Sequence, residues 1–143
     1  ECRFATAIAK TGRHVHPEQA SPLLQEACRQ LEAYFRGERQ HFELPLAPAG
    51  TAFQQQVWAT LQQIPYGETW SYQQLAERLG NRNASRAVGS ANGKNPLWIL
   101  IPCHRVIQAS GGLGGYAGGL EAKSRLLNLE QNGIRIPVAC ITG

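Results

Sequence analysis

The spacing of helix-capping and helix-ending residues in the middle of the chain constrains its fold more than any other feature. Ser71 is a helix-capping residue, and Gly80 ends the helix predicted over residues 72–79. Asn83 can cap a second helix, which is predicted over residues 84–92. Two short helices joined by about four residues are typical of a helix-turn-helix.

Three further helices are predicted around this pair. One begins at Pro22 and carries apolar residues on one face as far as Phe35. The sequence Thr51-x-x-Gln54 is a capping box that begins the next helix, and Pro65 ends it. The last covers residues 121–131.

The segment that carries the chemistry follows the helix pair. An apolar run over residues 97–101 predicts a buried strand or extended segment, which Pro102 ends. Cys103 and His104 come next, so a thiol stands beside an imidazole. A thiol becomes a nucleophile where a base or cation stabilises the thiolate. The alternative is that Cys103 is only a small buried apolar residue, as most free cysteines are.

The second short helix carries a distinctive set of side chains. Residues 84–92 present small side chains and one long cation, Arg86, whereas helices that read the major groove carry several long polar residues. Small residues let a helix approach the narrow minor groove closely. They also suit tight helix packing, so Gly89, which weakens a helix, needs one of these two reasons.

The charge distribution also suggests a polyanionic partner. The net charge of +4 arises after residue 52, where eight basic and four acidic residues stand. A segment free of acidic residues carries five of the basic ones: Arg78, Arg82, Arg86, Lys94 and Arg105. Such a segment is typical of a phosphate-binding surface, although a solvated face is the alternative.

Composition excludes several classes of protein. No apolar run approaches the ~18–20 residues of a membrane span, and no signal peptide precedes the first helix. The cysteines form no C-x-x-C pair, and Cys2, His14 and His16 fit no standard metal-site spacing. We therefore expect no metal site and a reducing, cytoplasmic setting. The chain contains no methionine, so we expect residues before Glu1 to be missing.

Four motifs in order resemble one family, the O6-alkylguanine-DNA alkyltransferases (methylated-DNA–protein-cysteine methyltransferases). The resemblance covers residues 53–130 without a gap. The motifs are Ser71-Tyr-Gln-Gln-Leu-Ala76, Ala84-x-Arg-Ala-Val-Gly89, Asn95-Pro-x-x-Ile-Leu-Ile-Pro-Cys-His-Arg-Val106 and Gly114-x-Tyr-x-Gly-Gly-Leu120, followed by Lys123, Leu126-Leu127 and Glu130.

The resemblance implies an α+β fold in two parts. Residues 1–50 would form a small N-terminal α/β lobe, truncated at its front, with a proline-containing linker over residues 41–50. Residues 51–143 would form a helical, winged helix-turn-helix-like domain that binds DNA and carries the catalytic residues.

The resemblance also implies catalytic roles. Cys103 would accept the alkyl group, and His104 would take the thiol proton through a water molecule, with Glu130 orienting the imidazole. Tyr72 would donate a hydrogen bond to N3 of the flipped guanine. Asn95 would be the hinge between the helix-turn-helix and the active-site segment.

DNA and the flipped base would be bound by further residues. The residues expected to bind DNA are Ala84, Ser85, Arg86, Ala87, Gly89, Lys94 and Arg105. The expected base pocket comprises Tyr72, Trp98, Val106, Tyr116, Ala117, Gly118 and Lys123, with main-chain groups of Cys103, Val106, Tyr116 and Ala117 reading the guanine edge. Trp98 stands where many relatives have a smaller residue, so a narrower pocket is expected, and Ala117 lacks the hydroxyl of relatives with serine.

The implied activity is direct-reversal DNA repair by a monomer. A methyl or other alkyl group would move from O6-alkylguanine, and from O4-methylthymine, in double-stranded DNA to Cys103, once per molecule, after minor-groove binding and base flipping. The step requires no metal or organic cofactor. The alternatives are a helix-turn-helix regulator, a lesion-binding protein without transfer, and a thiol hydrolase that uses Cys103, His104 and Glu130.

Overall fold

A computed structural model of the chain describes residues 22–116 and 119–137. Residues 1–21 of the expected N-terminal lobe therefore lie outside the described residues. So do Ala117 and Gly118 of the expected base pocket, and Cys2, His14 and His16.

The first described helix, α1, covers Pro22–Phe35 as predicted. Its apolar face is buried through Ala27, Leu31, Tyr34 and Phe35, at the spacing that places residues on one side of a helix. The predicted linker that follows is held against α1. The Gln30 amide exchanges two hydrogen bonds with the main chain of Glu43, at 2.9 and 3.2 Å.

Helix α2 (Ala52–Leu61) begins with the predicted capping box. Thr51 and Gln54 exchange main-chain to side-chain hydrogen bonds of 3.0 and 3.1 Å. The helix ends at Leu61, earlier than the predicted end at Pro65, and Ile64 is buried in the turn that follows. Trp58 anchors α2 to the helix-turn-helix, because its indole N–H donates to the Ala91 carbonyl at 2.9 Å.

The predicted helix pair is present as α3 (Tyr72–Arg78) and α4 (Ser85–Gly93). Ser71 and Gln74 form a second capping box at the start of α3. The prediction that Asn83 caps α4 is wrong. Ala84 is the N-cap, and the Asn83 N–H donates instead to the Asn81 side chain at 3.2 Å.

The predicted strand over residues 97–101 is not formed, although the segment is buried. It folds into a tight turn, with a hydrogen bond of 2.9 Å from the Ile101 N–H to the Leu97 carbonyl. Ile99 has φ of +74°, a strained value for a β-branched residue. The Asn95 side-chain amide bonds the Leu97 N–H at 3.0 Å and the Ile101 carbonyl at 2.8 Å. It thereby supplies partners that a neighbouring strand would otherwise provide.

A small parallel sheet joins the helix pair to the segment that follows Cys103. Strand β1 (Trp70–Ser71) pairs with β2 (Val106–Ile107), with Trp70 opposite Val106. The start of α3 is thereby held beside the segment that leads into β2. The mixed architecture confirms the predicted α+β class.

The last described helix, α5, covers Leu120–Asn132, close to the predicted bounds. It packs beside the turn that carries Cys103, and its buried residues include Lys123 and Glu130. Within residues 22–116 and 119–137, no helix has the length and apolar character that crossing a membrane requires.

Candidate active site

Cys103 begins a single turn of 3₁₀ helix, Cys103–Arg105, between the buried turn and β2. Its main-chain N–H donates to the Ile101 carbonyl at 2.8 Å, so the residue is tied directly to the strained turn. The side chain is buried, with the residue 3% exposed. A nucleophile in this position is held rigidly and is shielded from bulk water.

The thiol of Cys103 needs a base. Burial raises its pKa, while a hydrogen bond from the Asn95 side chain and the charge of Lys123 act in the opposite direction. The net effect keeps the thiol protonated near neutral pH. Asn95 therefore supports the site twice, by shaping the turn and by contacting the sulfur.

His104 is fully buried and is held by Glu130. The distance from its Nε2 to Glu130 Oε2 is 2.7 Å, and its Nδ1 has no hydrogen-bond partner among the described residues. Burial lowers the pKa of the imidazole, and the Glu130 hydrogen bond opposes that effect only in part. The ring is therefore neutral at pH 7. Because a carboxylate can only accept, Nε2 carries the hydrogen and Nδ1 keeps a free lone pair.

Glu130 is the centre of a buried polar cluster. Arg105 Nε donates to its Oε1 at 2.7 Å, and Arg105 Nη2 donates to its Oε2 at 3.0 Å. Tyr34 donates its hydroxyl to Oε2, and the Gly67 N–H donates to Oε1 at 3.4 Å. Burial alone would raise the Glu130 pKa, but the hydrogen bonds from His104 and Arg105 together lower it to about 2. The carboxylate remains ionised at physiological pH.

Arg105 does not occupy the DNA-binding position that was predicted for it. Its side chain is buried against Glu130, its Nη1 donates to the Ile64 carbonyl at 2.7 Å, and its guanidinium lies 5.6 Å from the centre of the Tyr66 ring. A buried guanidinium committed to these partners has none of its charge available for phosphate. The structure therefore contradicts the prediction that Arg105 binds DNA.

Two of the expected pocket tyrosines lie near the sulfur. Burial raises the pKa of Tyr72 and Tyr116, and in both cases the charge on a Cys103 thiolate would raise it further. The ring of Tyr116 lies 6.1 Å from that of Trp98. Gly114 passes over Tyr72, since a Cβ atom at that glycine would lie 3.1 Å from the phenol oxygen.

Lys123 holds the loop that contains Gly114 in place. Its side chain is fully buried, and its Nζ donates to the carbonyls of Val106 at 2.6 Å, Gly115 at 3.2 Å and Leu113. Val106 is also fully buried. Lys123 was predicted as a pocket residue, and the structure places its ammonium among main-chain carbonyls that hold the loop in place.

Helix α4 presents an open face. Val88, Ala91 and Asn92 are buried, whereas Arg86 and Lys94 are exposed, and the side chains of these two form no hydrogen bond or ion pair within residues 22–116 and 119–137. The remaining residues expected to bind DNA are also exposed or half-buried: Ala84, Ser85, Ala87 and Gly89.

Internal packing does not require a glycine at position 89. A Cβ atom built there would lie 3.8 Å from the Tyr72 ring, which is an ordinary van der Waals contact. Of the two reasons weighed for Gly89, tight packing within the protein is therefore the weaker one.

Two features of this site were not found from sequence. Tyr34 fitted the apolar face of α1, and its hydroxyl contact with Glu130 spans 96 residues. Arg105 was assigned to a phosphate surface because charge patterning does not separate a solvated cation from one paired inside the fold. No local signal distinguishes either case.

Two family profiles match the chain. One is described as the DNA binding domain of 6-O-methylguanine DNA methyltransferase and matches residues 52–132. The other is described as the ribonuclease-like domain of 6-O-methylguanine DNA methyltransferase and matches residues 5–48.

Curated relatives and solved structures agree with these profiles. A methylated-DNA–protein-cysteine methyltransferase of Methanosarcina acetivorans is 58% identical over 108 residues, which are 76% of this chain and 69% of the relative. One of Mycobacterium leprae is 56% identical over 107 residues, 75% of this chain and 65% of the relative. A crystal structure of Mycobacterium tuberculosis OGT in complex with DNA has a TM-score of 0.75 and 53% identity, and the match covers 76% of this chain and 66% of that one.

Proposed function

The chain belongs to the 6-O-methylguanine DNA methyltransferase family, and we propose that it repairs DNA by moving the alkyl group of an O6-alkylguanine onto its own Cys103. One observation carries the proposal. The buried thiol of Cys103 is followed in the chain by a neutral imidazole, of which Nε2 is held by an ionised carboxylate and Nδ1 has no hydrogen-bond partner among the described residues, so Nδ1 can accept a proton. This is a nucleophile, base and orienting group in series.

The transfer step uses these groups in order. His104 Nδ1 accepts the Cys103 proton through one water molecule, and Glu130 stabilises the imidazolium that results. The thiolate attacks the alkyl carbon in line. A sulfur–carbon bond forms, the carbon–O6 bond breaks and its electron pair leaves on O6. The guanine anion then takes up a proton, so the net change is thiol plus alkylguanine to thioether plus guanine.

Tyr72 and the loop that covers it would bind the base during this step. The Tyr72 phenol stays protonated, because burial and a nearby Cys103 thiolate both raise its pKa, so it can donate a hydrogen bond to guanine N3. Such a bond stabilises the leaving anion. Because a saturated thioether has no easy route to hydrolysis, each molecule would act once.

The flipped base implies a duplex partner, which would engage helix α4. Its small exposed side chains suit approach to the minor groove, Arg86 would fill the space left in the base stack, and Lys94 would contact phosphate. Extrusion costs a few kcal/mol, which these contacts must offset.

The remaining assignments concern organisation and setting. We place the boundary between the N-terminal lobe and the catalytic DNA-binding domain at residue 50, since one family profile ends at residue 48 and the other begins at residue 52. One chain carries all of the proposed catalytic and DNA-binding residues, so the protein would act as a monomer in the cytoplasm, where prokaryotic DNA lies.

Trp98 would restrict the substrate. Its ring lies against Tyr116 at the expected pocket, and it takes up space that a larger alkyl group would need. O6-methylguanine is therefore the favoured lesion, and benzyl derivatives should react poorly.

Intact-protein mass spectrometry tests the proposal. After incubation with a duplex that contains O6-methylguanine, the protein should gain one methyl group, located on Cys103, in a fraction limited by stoichiometry. Cys103→Ser should gain none, and Cys28→Ser should behave as wild type. A methyl group on Cys28 or Cys140, or many repairs per molecule, would overturn the assignment. Steady turnover of an ester without DNA would point to a thiol hydrolase.

A further inference from the structure

Tyr34 lies at the junction between the first described helix and the catalytic cluster. It belongs to α1, is fully buried, and donates its hydroxyl to Glu130 Oε2. The same oxygen is 2.7 Å from His104 Nε2 and 3.0 Å from Arg105 Nη2. Three donors therefore converge on one carboxylate oxygen.

We infer that Tyr34 is a positioning residue for the alkyl transfer, which limits, through Glu130, how strongly a proton is held on His104. The inference rests on the proposed function, because it assigns a role to the proton that His104 takes from Cys103. It also gives the N-terminal part of the chain an influence on the chemistry of the C-terminal part.

The effect follows from how a carboxylate shares its charge. Each donor that binds Oε2 draws electron density from it and leaves less to stabilise an imidazolium. Arg105 and His104 belong to the same 3₁₀ turn, whereas Tyr34 is supplied from 96 residues away. Of the three groups that donate to Glu130 Oε2, the Tyr34 hydroxyl is thus the one whose position depends on the packing of α1.

Tyr34 can act in this way over the whole working pH range. Burial, and the negative charge of Glu130, raise the pKa of the phenol well above its ordinary value. It therefore remains a neutral donor and does not lose its proton to the carboxylate. It withdraws charge from Oε2 without adding a charge of its own.

A role in packing does not account for the hydroxyl. The Tyr34 ring packs against Phe35, Phe42 and Tyr66, at centroid distances of 5.6, 5.4 and 6.2 Å, and a phenylalanine could make the same contacts. A buried hydroxyl is costly unless it is hydrogen-bonded, and Glu130 is its partner. The main chain of α1 is anchored nearby too, since the Ile136 N–H donates to the Phe35 carbonyl at 3.0 Å.

Other titratable groups also face His104 and Glu130. They come from the turn after α2, the 3₁₀ turn, the loop before α5 and α5 itself: Tyr66, Cys103, Arg105, Tyr116 and Lys123. The positive charges of Arg105 and Lys123 already disfavour protonation of His104. Replacing Tyr34 by phenylalanine removes none of these groups, so a change in His104 titration reports the lost hydroxyl.

The test compares Tyr34→Phe with Tyr66→Phe. Both remove one phenol oxygen near Glu130, but among the described residues the Tyr66 hydroxyl makes no hydrogen bond to that carboxylate. Histidine-labelled NMR measures the titration midpoint of His104, and single-turnover kinetics give the pH profile of methyl transfer. Tyr34→Phe should raise the midpoint by about one pH unit, a tenfold change in proton binding. The acid limb of the rate profile should move upward with it. Tyr66→Phe should move neither.

The outcomes separate the inference from the proposed function. An unchanged His104 midpoint in folded Tyr34→Phe, with a rate lowered equally at every pH, would show that Tyr34 is only structural. If that variant fails to fold, a fluorinated tyrosine at position 34 keeps the test, because a more acidic phenol should lower the midpoint. If the wild-type protein transfers no methyl group but Tyr34→Phe still raises the His104 midpoint, the proposed function is overturned, while the coupling between Tyr34 and His104 stands.

Discussion

The Glu130 centre (Tyr34, His104, Arg105 and Glu130) and helix α4 lie in one small fold and are built in opposite ways. In the Glu130 centre, four polar side chains are removed from water, and they bond one another. On α4 the long cation Arg86 is exposed and forms no ion pair within the described part of the chain. The charges of the Glu130 centre are paired within the protein, whereas the charge of Arg86 is left for a partner to bind.

This difference has a consequence for function. A buried charge network is held in its working geometry before any substrate arrives, so changes there should affect transfer from every substrate. A surface that binds a partner should affect transfer only when that partner is present. Substitutions in the Glu130 centre should therefore slow transfer from duplex and free base alike, whereas those on α4 should affect the duplex alone.

The largest effect is expected for Glu130→Gln. Loss of the carboxylate removes the charge that supports a protonated His104, and transfer should slow by about a hundredfold or more. The variant leaves Arg105 buried without its counter-ion, which should cost about 3–5 kcal/mol of unfolding free energy. DNA binding should persist. Stopped-flow transfer assays, urea unfolding and duplex binding measure the three quantities.

Glu121→Gln is the matched control for that variant. It makes the same substitution on the same helix, at an exposed ion pair with Arg125, where the cost should be under about 1 kcal/mol. The two variants should also differ in acid. The Glu130 pKa is lowered to about 2, so its stabilising effect is present above its ordinary value of 4.5 and is lost as the pH falls from there. Transfer by folded Glu130→Gln at the wild-type rate would contradict the relay.

Arg86→Ala should have a smaller and more selective effect. A side chain that replaces the extruded base in the stack contributes on the order of 1–3 kcal/mol, so repair of duplex O6-methylguanine should slow by about ten- to a hundredfold. Transfer from free O6-methylguanine base should not change, because no stack has to be opened. Single-turnover rates on the two substrates give the comparison.

Lys94→Gln is the control for charge alone. Lys94 is also exposed beside α4, and its loss should weaken binding to all duplexes and reduce the salt slope by about one, without a specific effect on extrusion. Equal losses on duplex and free base in Arg86→Ala would instead assign Arg86 to the fold or the pocket, and would remove the contrast with the Glu130 centre.

The sequence predicts the parts of this molecule whose signals are local. The capping box at Thr51 and the capping residue Ser71 are signals within a few consecutive residues, and they place the starts of α2 and α3 correctly. The adjacency of Cys103 and His104 is likewise visible in the sequence. His104 and Glu130 are 26 residues apart, and only a resemblance to a family joined them before the structure did.

The sequence fails where one particular side-chain partner decides the outcome. The apolar run before Cys103 has the composition of a strand, but the Asn95 amide satisfies its main chain and allows a turn at Ile99. Arg105 lies in a basic segment typical of a phosphate-binding surface, but its side chain is paired with Glu130 inside the fold. In each case the competing partner is a side chain whose position depends on the folded structure.

The smallest effect, and the closest test of the open face of α4, is expected for Gly89→Ala. Alanine in place of glycine inside a helix stabilises it by about 0.5–1 kcal/mol, and the added methyl group would make only an ordinary contact with Tyr72. The protein should therefore unfold a few degrees higher, and transfer from the free base should be unchanged. Duplex affinity should fall severalfold, because the methyl group would separate the helix backbone from the groove. Ala87→Gly, on the exposed face of the same helix, is the reverse control and should lose stability without losing affinity. If Gly89→Ala binds duplex as tightly as wild type, the small residues of α4 do not serve groove approach, and this helix would not be the surface that meets DNA.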